Sequence, residues 1–195
     1  MLSYKKHRYY INMPMLLRVI GYLLVIESLF MLIPCIIALI YGEDSFLDFL
    51  ICAGISGACG GGMMMLKPKT KEMGKREAIL LTGMTWVILS LFGMLPFLSV
   101  GTHLSVSDAF FETMSGFTTT GASVLNTLIG IPKSILAWRC VVQWVGGLGI
   151  ILFTLAVVPM LNYSGGMQLF NAEVTGITHD KLRPRVSYTA KGLWG

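Results

Sequence analysis

Apolar residues in this chain are concentrated in four long runs. The runs cover residues 15–41, 46–66, 78–100 and 134–161, to within a residue or two at each end. Each is close to, or longer than, the ~20 residues that an α-helix needs to cross the hydrocarbon core of a bilayer. The second run is also rich in glycine, which predicts a surface for close packing between helices. The pattern as a whole predicts an all-α membrane protein with four transmembrane helices.

The composition agrees with a membrane protein. Hydrophobic residues make up 54% of the 195 residues and charged residues only 13%, whereas about 25% of the residues of a soluble domain are charged. The net charge is +5, but the basic residues lie mostly between the apolar runs and are not interleaved with aromatic residues as in nucleic-acid-binding proteins. We therefore interpret them as topology signals, and we expect a lipid bilayer, not a nucleic acid, around this chain.

The first run follows a basic stretch at Lys5, Lys6 and Arg8, as in a signal peptide. It is far longer than the usual apolar core of ~7–15 residues, so a retained transmembrane helix is expected, with a kink at Pro34. Glu27 lies in the middle of this run. Two interpretations of Glu27 remain open: a carboxyl group that faces other helices or is protonated in place, or a functional acid of the membrane interior.

The distribution of charge predicts the orientation of the spans. Most basic residues lie before the first run, in the linker 67–76 and in the tail after the fourth run. The loop between the first two runs instead carries Glu43, Asp44 and Asp48 and no basic residue. Because basic segments stay on the cytoplasmic side, the sequence predicts a multi-pass protein with both termini in the cytoplasm.

Between the third and fourth runs lie residues 101–133, and the twenty residues 106–125 within them are too short and too polar to span a membrane. Residues 106–125 nevertheless contain only two charged residues, Asp108 and Glu112. These acids could favour the start of a helix or attract cations at the outer mouth of a pathway, and the two roles are compatible. Arg139, near the outer end of the fourth run, can snorkel outward or pair with one of these carboxylates.

A short helix is predicted over residues 107–115 of this segment. Ser105 or Ser107 can cap its N-terminus, because a serine hydroxyl accepts a hydrogen bond from a free N–H of the first turn. Gly116 fits a helix stop. The following threonines, Thr118 to Thr120, are β-branched and precede a glycine, which predicts an extended strand.

A short helix and an extended strand between two spans form the geometry of a re-entrant pore helix and filter loop. A cation that enters the membrane loses its water at a large cost, and inward-facing backbone carbonyls can replace that water. Thr118, Thr119 and Thr120 would supply such carbonyls, and Gly121 would allow their shared orientation. The alternative is an ordinary threonine-rich outer loop.

The sequence contains no sign of enzymatic chemistry. It has no nucleophile–base pair, no paired catalytic carboxylates and no cysteine–histidine group with the spacing of a metal site. No enzymatic activity and no cofactor are therefore expected.

Two motifs carry a resemblance to a known family. Residues 108–123 read DAFFETMSGFTTTGAS, and residues 138–150 read WRCVVQWVGGLGI. Together they resemble the first pore unit of the bacterial Trk/Ktr potassium-uptake family, in its membrane subunit of the TrkH type. Residues 167–175 are similar to the cytoplasmic linker that follows this unit, so the resemblance extends over essentially the whole chain.

The resemblance implies four linked helix–pore-loop–helix repeats around one pathway, preceded by an extra helical pair. In this chain it implies the pair at 1–66, a basic cytoplasmic linker at 67–76, the first repeat at 77–161 and a further cytoplasmic linker at 162–195. The filter of this repeat would consist of Thr118, Thr119, Thr120 and Gly121. The family keeps one filter glycine, here Gly121, which implies looser discrimination of potassium from sodium.

The function implied by the resemblance is potassium uptake by a Trk system across the cytoplasmic (inner) membrane of a bacterium. Potassium is then the substrate, bound by the backbone carbonyls of Thr119 and Thr120. A cytoplasmic nucleotide-binding ring that gates the pore is the implied regulatory partner.

The membrane subunits of this family are more than twice as long as this chain, and repeats two to four have no counterpart in the 195 residues. A truncated product, a split subunit or an excised fragment is therefore expected. One repeat supplies one wall of a filter, and an ion needs a ring of carbonyls, so we expect no conduction without the missing repeats or further copies. The alternatives are a homotetrameric cation channel and a non-conducting packing subunit.

Overall fold

The computed structural model describes residues 11–67, 75–99, 102, 104–125 and 127–162. These residues form helices and connecting segments without a β-strand. The all-α class predicted from the sequence is therefore confirmed. In chain order the helices are α1 (Met13–Phe30), α2 (Leu32–Tyr41), α3 (Phe46–Met64), α4 (Lys75–Gly93), α5 (Leu95–Ser99), α6 (Val106–Phe117) and α7 (Lys133–Asn162).

Three of the predicted spans are confirmed as membrane-capable helices. Within the described residues, the stretches Met13–Tyr41, Phe46–Met64 and Glu77–Ser99 are long and apolar enough to cross a membrane. The fourth predicted span coincides with α7, whose 30 residues extend over about 45 Å at ~1.5 Å per residue. That α7 crosses the membrane stays a prediction. The location of both termini in the cytoplasm also stays a prediction, and residues 1–10 and 163–195 lie outside the described part.

Proline interrupts two of these spans. The first span breaks at Met31, between α1 and α2, three residues before Pro34. Because proline has no N–H, Pro34 cannot donate a hydrogen bond to the carbonyl of Phe30, and its ring crowds that turn. An interruption of the helix near Pro34 is thus present, and the bend of the span there stays a prediction. Pro96 has the same effect in the third span, which breaks at Met94 between α4 and α5.

Glycine contacts join α1 to α3. A Cβ atom built on Gly21 would lie 2.7 Å from the carbonyl oxygen of Gly60, and a Cβ on Gly60 would lie 2.8 Å from the carbonyl oxygen of Gly21. Only residues without a side chain allow two helix backbones to approach this closely. The packing surface predicted for the second run is therefore present on α3.

A buried tryptophan joins the broken third span to α7. The indole N–H of Trp138 donates to the carbonyl oxygen of Gly93 over 2.9 Å, at the end of α4. The ring itself is buried, together with Phe117 of α6 and Val142 of α7. Because a buried indole N–H needs an acceptor, the backbone carbonyl at the break serves that need. The buried core includes this place, where α1, α4, α6 and α7 meet, and continues to α2, α3 and α5.

Glu27 faces this core. The residue is 5% exposed, and within the described part of the chain its two carboxyl oxygens have no hydrogen-bond partner. It lines a cavity of about 60 Å³ whose other walls are apolar side chains of α1, α4, α6 and α7. A Cβ on Gly93 would lie 2.7 Å from its Oε1 atom. Of the two interpretations from the sequence, the structure favours a carboxyl group enclosed between helices.

The loop between α2 and α3 contacts the start of α7. The two carboxylate oxygens of Glu43 accept hydrogen bonds from the backbone N–H groups of Lys133 at 2.6 Å and Ser134 at 3.1 Å. The hydroxyl groups of Ser45 and Ser134 lie 2.8 Å apart. Glu43 thus caps the N-terminus of α7, where free N–H groups and the helix dipole favour an anion.

Candidate cation pathway

Helix α6 is too short to cross a membrane. It runs from Val106 to Phe117, 12 residues or about 18 Å at ~1.5 Å per residue, against the ~30 Å of a bilayer core. Of the two predicted caps, Ser105 is the one used: its hydroxyl oxygen accepts from the N–H of Asp108 at 3.2 Å. The Ser105 hydroxyl also donates to the carboxylate of Asp108 over 2.7 Å. The predicted helix is therefore present and slightly longer than expected.

The prediction that Gly116 stops this helix was wrong, because α6 continues to Phe117. A Cβ on Gly116 would lie 2.9 Å from Cγ1 of Val142. The glycine therefore serves the contact between α6 and α7 rather than a turn. Its local preference to end a helix is overridden by packing with a residue that is distant in the sequence.

The end of α6 is a Schellman motif with threonine at the left-handed position. The N–H of Thr119 donates to the carbonyl of Gly116 at 2.9 Å, and the N–H of Thr120 donates to the carbonyl of Ser115 at 3.0 Å. Thr119 has a φ of +56°, a conformation that β-branched residues rarely adopt. The extended strand predicted for Thr118 to Thr120 was therefore wrong, because these N–H groups fold back onto the helix.

This turn leaves a row of carbonyl groups without donors. Between Thr118 and Gly121, all four N–H groups donate to carbonyls in the last turns of α6. Among the described residues, none donates a hydrogen bond to the four carbonyl oxygens of the same tetrapeptide. Thr119, Thr120 and Gly121 are exposed on the surface of this chain. The sequence-predicted filter residues thus lie together, at the negative end of the α6 dipole.

The residues after the tetrapeptide are held by side chains of α6. The Ser115 hydroxyl donates to the carbonyl of Ala122 over 2.7 Å. One helical turn earlier, Glu112 accepts from the hydroxyl of Ser123 and from the N–H of Val124. Because Glu112 and Ser115 are three residues apart, they share one face of the helix. That face fixes the course of the chain from Ala122 to Val124.

The two acids proposed from the sequence lie in different surroundings. Glu112 is 4% exposed, and its Oε2 atom is 3.4 Å from Nη2 of Arg139 on α7. Asp108 lies at the start of α6, half-buried, with Ser105 as its partner. The pairing of Arg139 with a carboxylate of the segment, one of the two sequence-based interpretations, is therefore present.

The end of α6 packs against glycines of α7. The sequence analysis predicted no structural role for these glycines. A Cβ on Gly146 would overlap the carbonyl group of Phe117, lying 2.7 Å from its carbon atom. A Cβ on Gly147 would lie 3.7 Å from Cγ2 of Thr119, an ordinary contact. The glycine-rich stretch within an otherwise apolar helix was the signal that could have revealed this close approach.

Comparison with known proteins identifies the family of this chain. The family model described as cation transport protein, TrkH, matches residues 48–195. This match covers more than half of the chain, which belongs to the TrkH family. The family consists of ion transporters, not enzymes.

Several relatives of known name match almost the whole chain. The Trk system potassium uptake protein TrkH of Escherichia coli K12 is 42% identical over 182 residues, covering 91% of this chain and 37% of the relative. The protein of the same name from Halomonas elongata is 39% identical over 188 residues, covering 94% of this chain and 38% of the relative.

A solved structure is similar over the same region. The crystal structure of the potassium transporter TrkH from Vibrio parahaemolyticus matches with a TM-score of 0.77 and 34% sequence identity. The match covers 94% of this chain and 36% of that one. The chain thus spans a little over a third of the length of the relatives that it matches.

Proposed function

We propose that this chain forms one wall of a potassium-uptake pathway in the cytoplasmic membrane of a bacterium. The observation that carries the proposal is the division of polar groups in the tetrapeptide Thr118–Gly121. Its N–H groups are bound by α6, while its carbonyl oxygens have no donor among the described residues. The backbone of this tetrapeptide therefore presents only hydrogen-bond acceptors to its surroundings.

Acceptors of this kind suit a cation without its water. An ion loses its hydration shell at membrane depth at a large cost, and backbone carbonyls can replace the lost oxygens. Potassium is the proposed substrate, with the carbonyls of Thr119 and Thr120 as its ligands and those of Thr118 and Gly121 at the ends of the row. The relatives named as Trk system potassium uptake proteins support the choice of ion.

One wall does not surround an ion. The remaining carbonyls would come from further repeats of a transporter subunit or from further copies of this chain, so uptake by the chain alone is not expected. On this proposal, residues 1–66 are a supporting helical pair, 77–161 is the first repeat, and 67–76 and 162–195 are cytoplasmic linkers. A cytoplasmic nucleotide-binding ring is the proposed regulator.

A chimera tests the proposal. The chain would replace the matching segment of the Escherichia coli TrkH protein in a strain that lacks its own potassium uptake. We expect the chimera to restore growth at low potassium and the chain alone to fail. A chimera that reaches the membrane in normal amounts without restoring uptake would contradict the proposal and favour a non-conducting packing subunit.

A pair of glycine variants locates the pathway within the chimera. Gly121 and Gly130 both have a positive φ, +74° and +86°, so alanine strains the backbone at both by ~1–3 kcal/mol. Only Gly121 belongs to the tetrapeptide. We expect Gly121→Ala to lower potassium uptake strongly, because the strain displaces the carbonyls of the tetrapeptide, and Gly130→Ala to leave uptake near the starting level. Equal losses in both variants would contradict a pathway at Gly121.

The homotetrameric alternative predicts a different result. If four copies assemble, the chain alone restores growth and cross-linking in membranes gives a ladder that ends at a tetramer. A single monomer band, together with failure of the chain alone, excludes this arrangement.

A further inference from the structure

One buried carboxylate connects three parts of the candidate pathway. Oε1 of Glu112 accepts hydrogen bonds from the hydroxyl of Ser123 and from the N–H of Val124, the latter over 2.7 Å. Oε2 of the same group faces Nη2 of Arg139 at 3.4 Å. The two oxygens therefore have separate tasks. One holds the chain that follows the tetrapeptide, and the other meets the cation on α7.

The surroundings make these contacts strong. The Glu112 side chain is 2% exposed and that of Arg139 is 25% exposed. Hydrogen bonds to an ionised acceptor are roughly twice as strong as neutral ones, and burial reduces competition from water. Loss of Glu112 alone would leave the Val124 N–H without its acceptor and the Arg139 charge without its partner.

The position of these contacts along the chain gives them a consequence for the filter. The tetrapeptide begins where α6 ends, and its start is fixed by the hydrogen bonds of the Schellman motif. Its other end leads through Ala122, which is bound to Ser115, directly to Ser123 and Val124. The free carbonyls thus lie on a short segment whose own N–H groups are bound to α6. Glu112 provides its last attachment to that helix, just beyond the tetrapeptide.

We infer that Glu112 is a positioning residue of the filter: by holding Ser123 and Val124 it sets the spacing of the carbonyls of Thr118–Gly121, and with it the preference for potassium over sodium. The size of the ion site and the number and field strength of its carbonyls both bear on this discrimination, and Glu112 would act on the size. In this arrangement Arg139 neutralises the carboxylate and orients it. The inference rests on the proposed function.

This role differs from attraction of cations at an outer mouth. A carboxylate with both oxygens engaged and almost no exposed surface has little effect on ions in the surrounding water. Asp108, at the start of α6 and half-buried, is the better placed of the two acids for that task.

Two double variants of the chimera separate the hydrogen bonds from the charge. Glu112→Gln with Arg139→Gln removes both charges but keeps an acceptor for Ser123 and Val124. Glu112→Ala with Arg139→Gln removes both charges and the acceptor. The readout is the ratio of potassium to sodium uptake, measured at matched amounts of protein in the membrane, because a purely structural role would change the amount rather than the ratio.

We expect the glutamine double variant to keep the ratio of potassium to sodium uptake within about twofold of the parent. The alanine double variant should lower this ratio about tenfold, because one or two hydrogen bonds to residue 112 are then left unmade. Asp108→Asn on the same helix separates attraction at the outer mouth from filter spacing: it should change the uptake of both ions alike and so leave their ratio unchanged. An unchanged ratio in the alanine double variant would overturn the inference. Failure of the parent chimera to take up potassium at all would instead contradict the proposed function.

Smaller changes at Ser123 provide an independent test if the double variants do not reach the membrane. Ser123→Ala removes one donor to Glu112 from an exposed position, and Ser123→Thr keeps the hydroxyl. We expect the ratio of potassium to sodium uptake to fall a few-fold in the alanine variant and to recover in the threonine variant. Identical ratios in the two variants would overturn the inference.

Discussion

The backbone of Gly146 on α7 lies directly against the carbonyl group of Phe117, the last residue of α6. A backbone-to-backbone contact of this kind leaves no room for any side chain. Because the tetrapeptide begins at the next residue, the contact also fixes where the candidate filter starts. Helix α7 is therefore both a neighbour of the short helix and the support on which its end rests.

Substitution of Gly146 by alanine should separate these helices. The new Cβ would meet main-chain atoms of Phe117, which cannot turn aside as a side chain can. Overpacking of this kind costs about 1–3 kcal/mol. We expect Gly146→Ala to lower the thermal stability of the purified protein in detergent by this amount and to lower potassium uptake by the chimera as well, because the end of α6 is displaced.

Gly147→Ala is the matched control for this substitution. Its Cβ meets only Cγ2 of Thr119, at 3.7 Å. Alanine is also favoured over glycine within a helix by roughly 0.5–1 kcal/mol. We therefore expect unchanged or slightly higher stability. Equal losses at 146 and 147 would show that the contact with Phe117 is not what matters.

Removal of the Glu27 carboxyl should be harmless to stability. The group is enclosed by apolar side chains, and its oxygens have no hydrogen-bond partner in the described part of the chain. Burial of a polar group without a hydrogen bond costs free energy, and an apolar group of similar volume avoids that cost. We expect Glu27→Leu to unfold at the same temperature as the parent or a higher one.

Transport by the same variant decides between the two interpretations of Glu27. Uptake by the Glu27→Leu chimera close to the parental rate would show that the carboxyl is a tolerated buried group. A stable Glu27→Leu chimera without uptake would instead identify a functional acid of the membrane interior. Glu27→Gln, which keeps the shape and polarity but cannot ionise, serves as the control.

Low pH should weaken the contact between Glu43 and the N-terminus of α7. Partial burial raises the pKa of Glu43, but hydrogen bonds from Ser134, Lys133 and Ser45 outweigh this effect and hold the pKa below its usual value of 4.5. A carboxyl with a lowered pKa in the folded state adds stability above its unfolded pKa and loses it as the pH falls through the folded value. The contribution should therefore be complete at neutral pH and disappear below about pH 4.5.

The comparison of the parent with Glu43→Gln measures this contribution. Glutamine has the same size but no charge at any pH, so the parent should be more stable at pH 7 by less than ~1 kcal/mol, as for a partly exposed helix cap. The parent should unfold at a correspondingly higher temperature. The difference should shrink as the pH falls below about 4.5. A difference that stays constant from pH 7 to strongly acidic conditions would contradict a role for the Glu43 charge.

The helices could be predicted from the sequence because membrane thickness sets a strict lower limit on the length of an apolar run. Helix α3, Phe46–Met64, begins at the predicted residue and ends two residues early. The break before Pro34 was predictable for an equally local reason, since the missing N–H belongs to the proline itself.

The details of the candidate site could not be predicted because distant residues decide them. Gly116 has the local preference of a helix end, yet Val142 on α7 requires a glycine there within the helix. Threonines favour extended structure, yet the turn places Thr119 in a left-handed conformation that no preference of threonine indicates. The link from Glu43 to Ser134 joins residues 91 positions apart, and no sequence pattern connects them.

Contact between the main chains of α1 and α3 also has a mechanical consequence. At Gly21 and Gly60 the two main chains are so close that no lipid tail fits between them, and Met63 and Leu24 flank the contact on either side. The two helices should therefore move together as one rigid unit. The carboxylate of Glu43, in the loop that follows α2, binds this unit to the first turn of α7, the helix that supports the candidate filter.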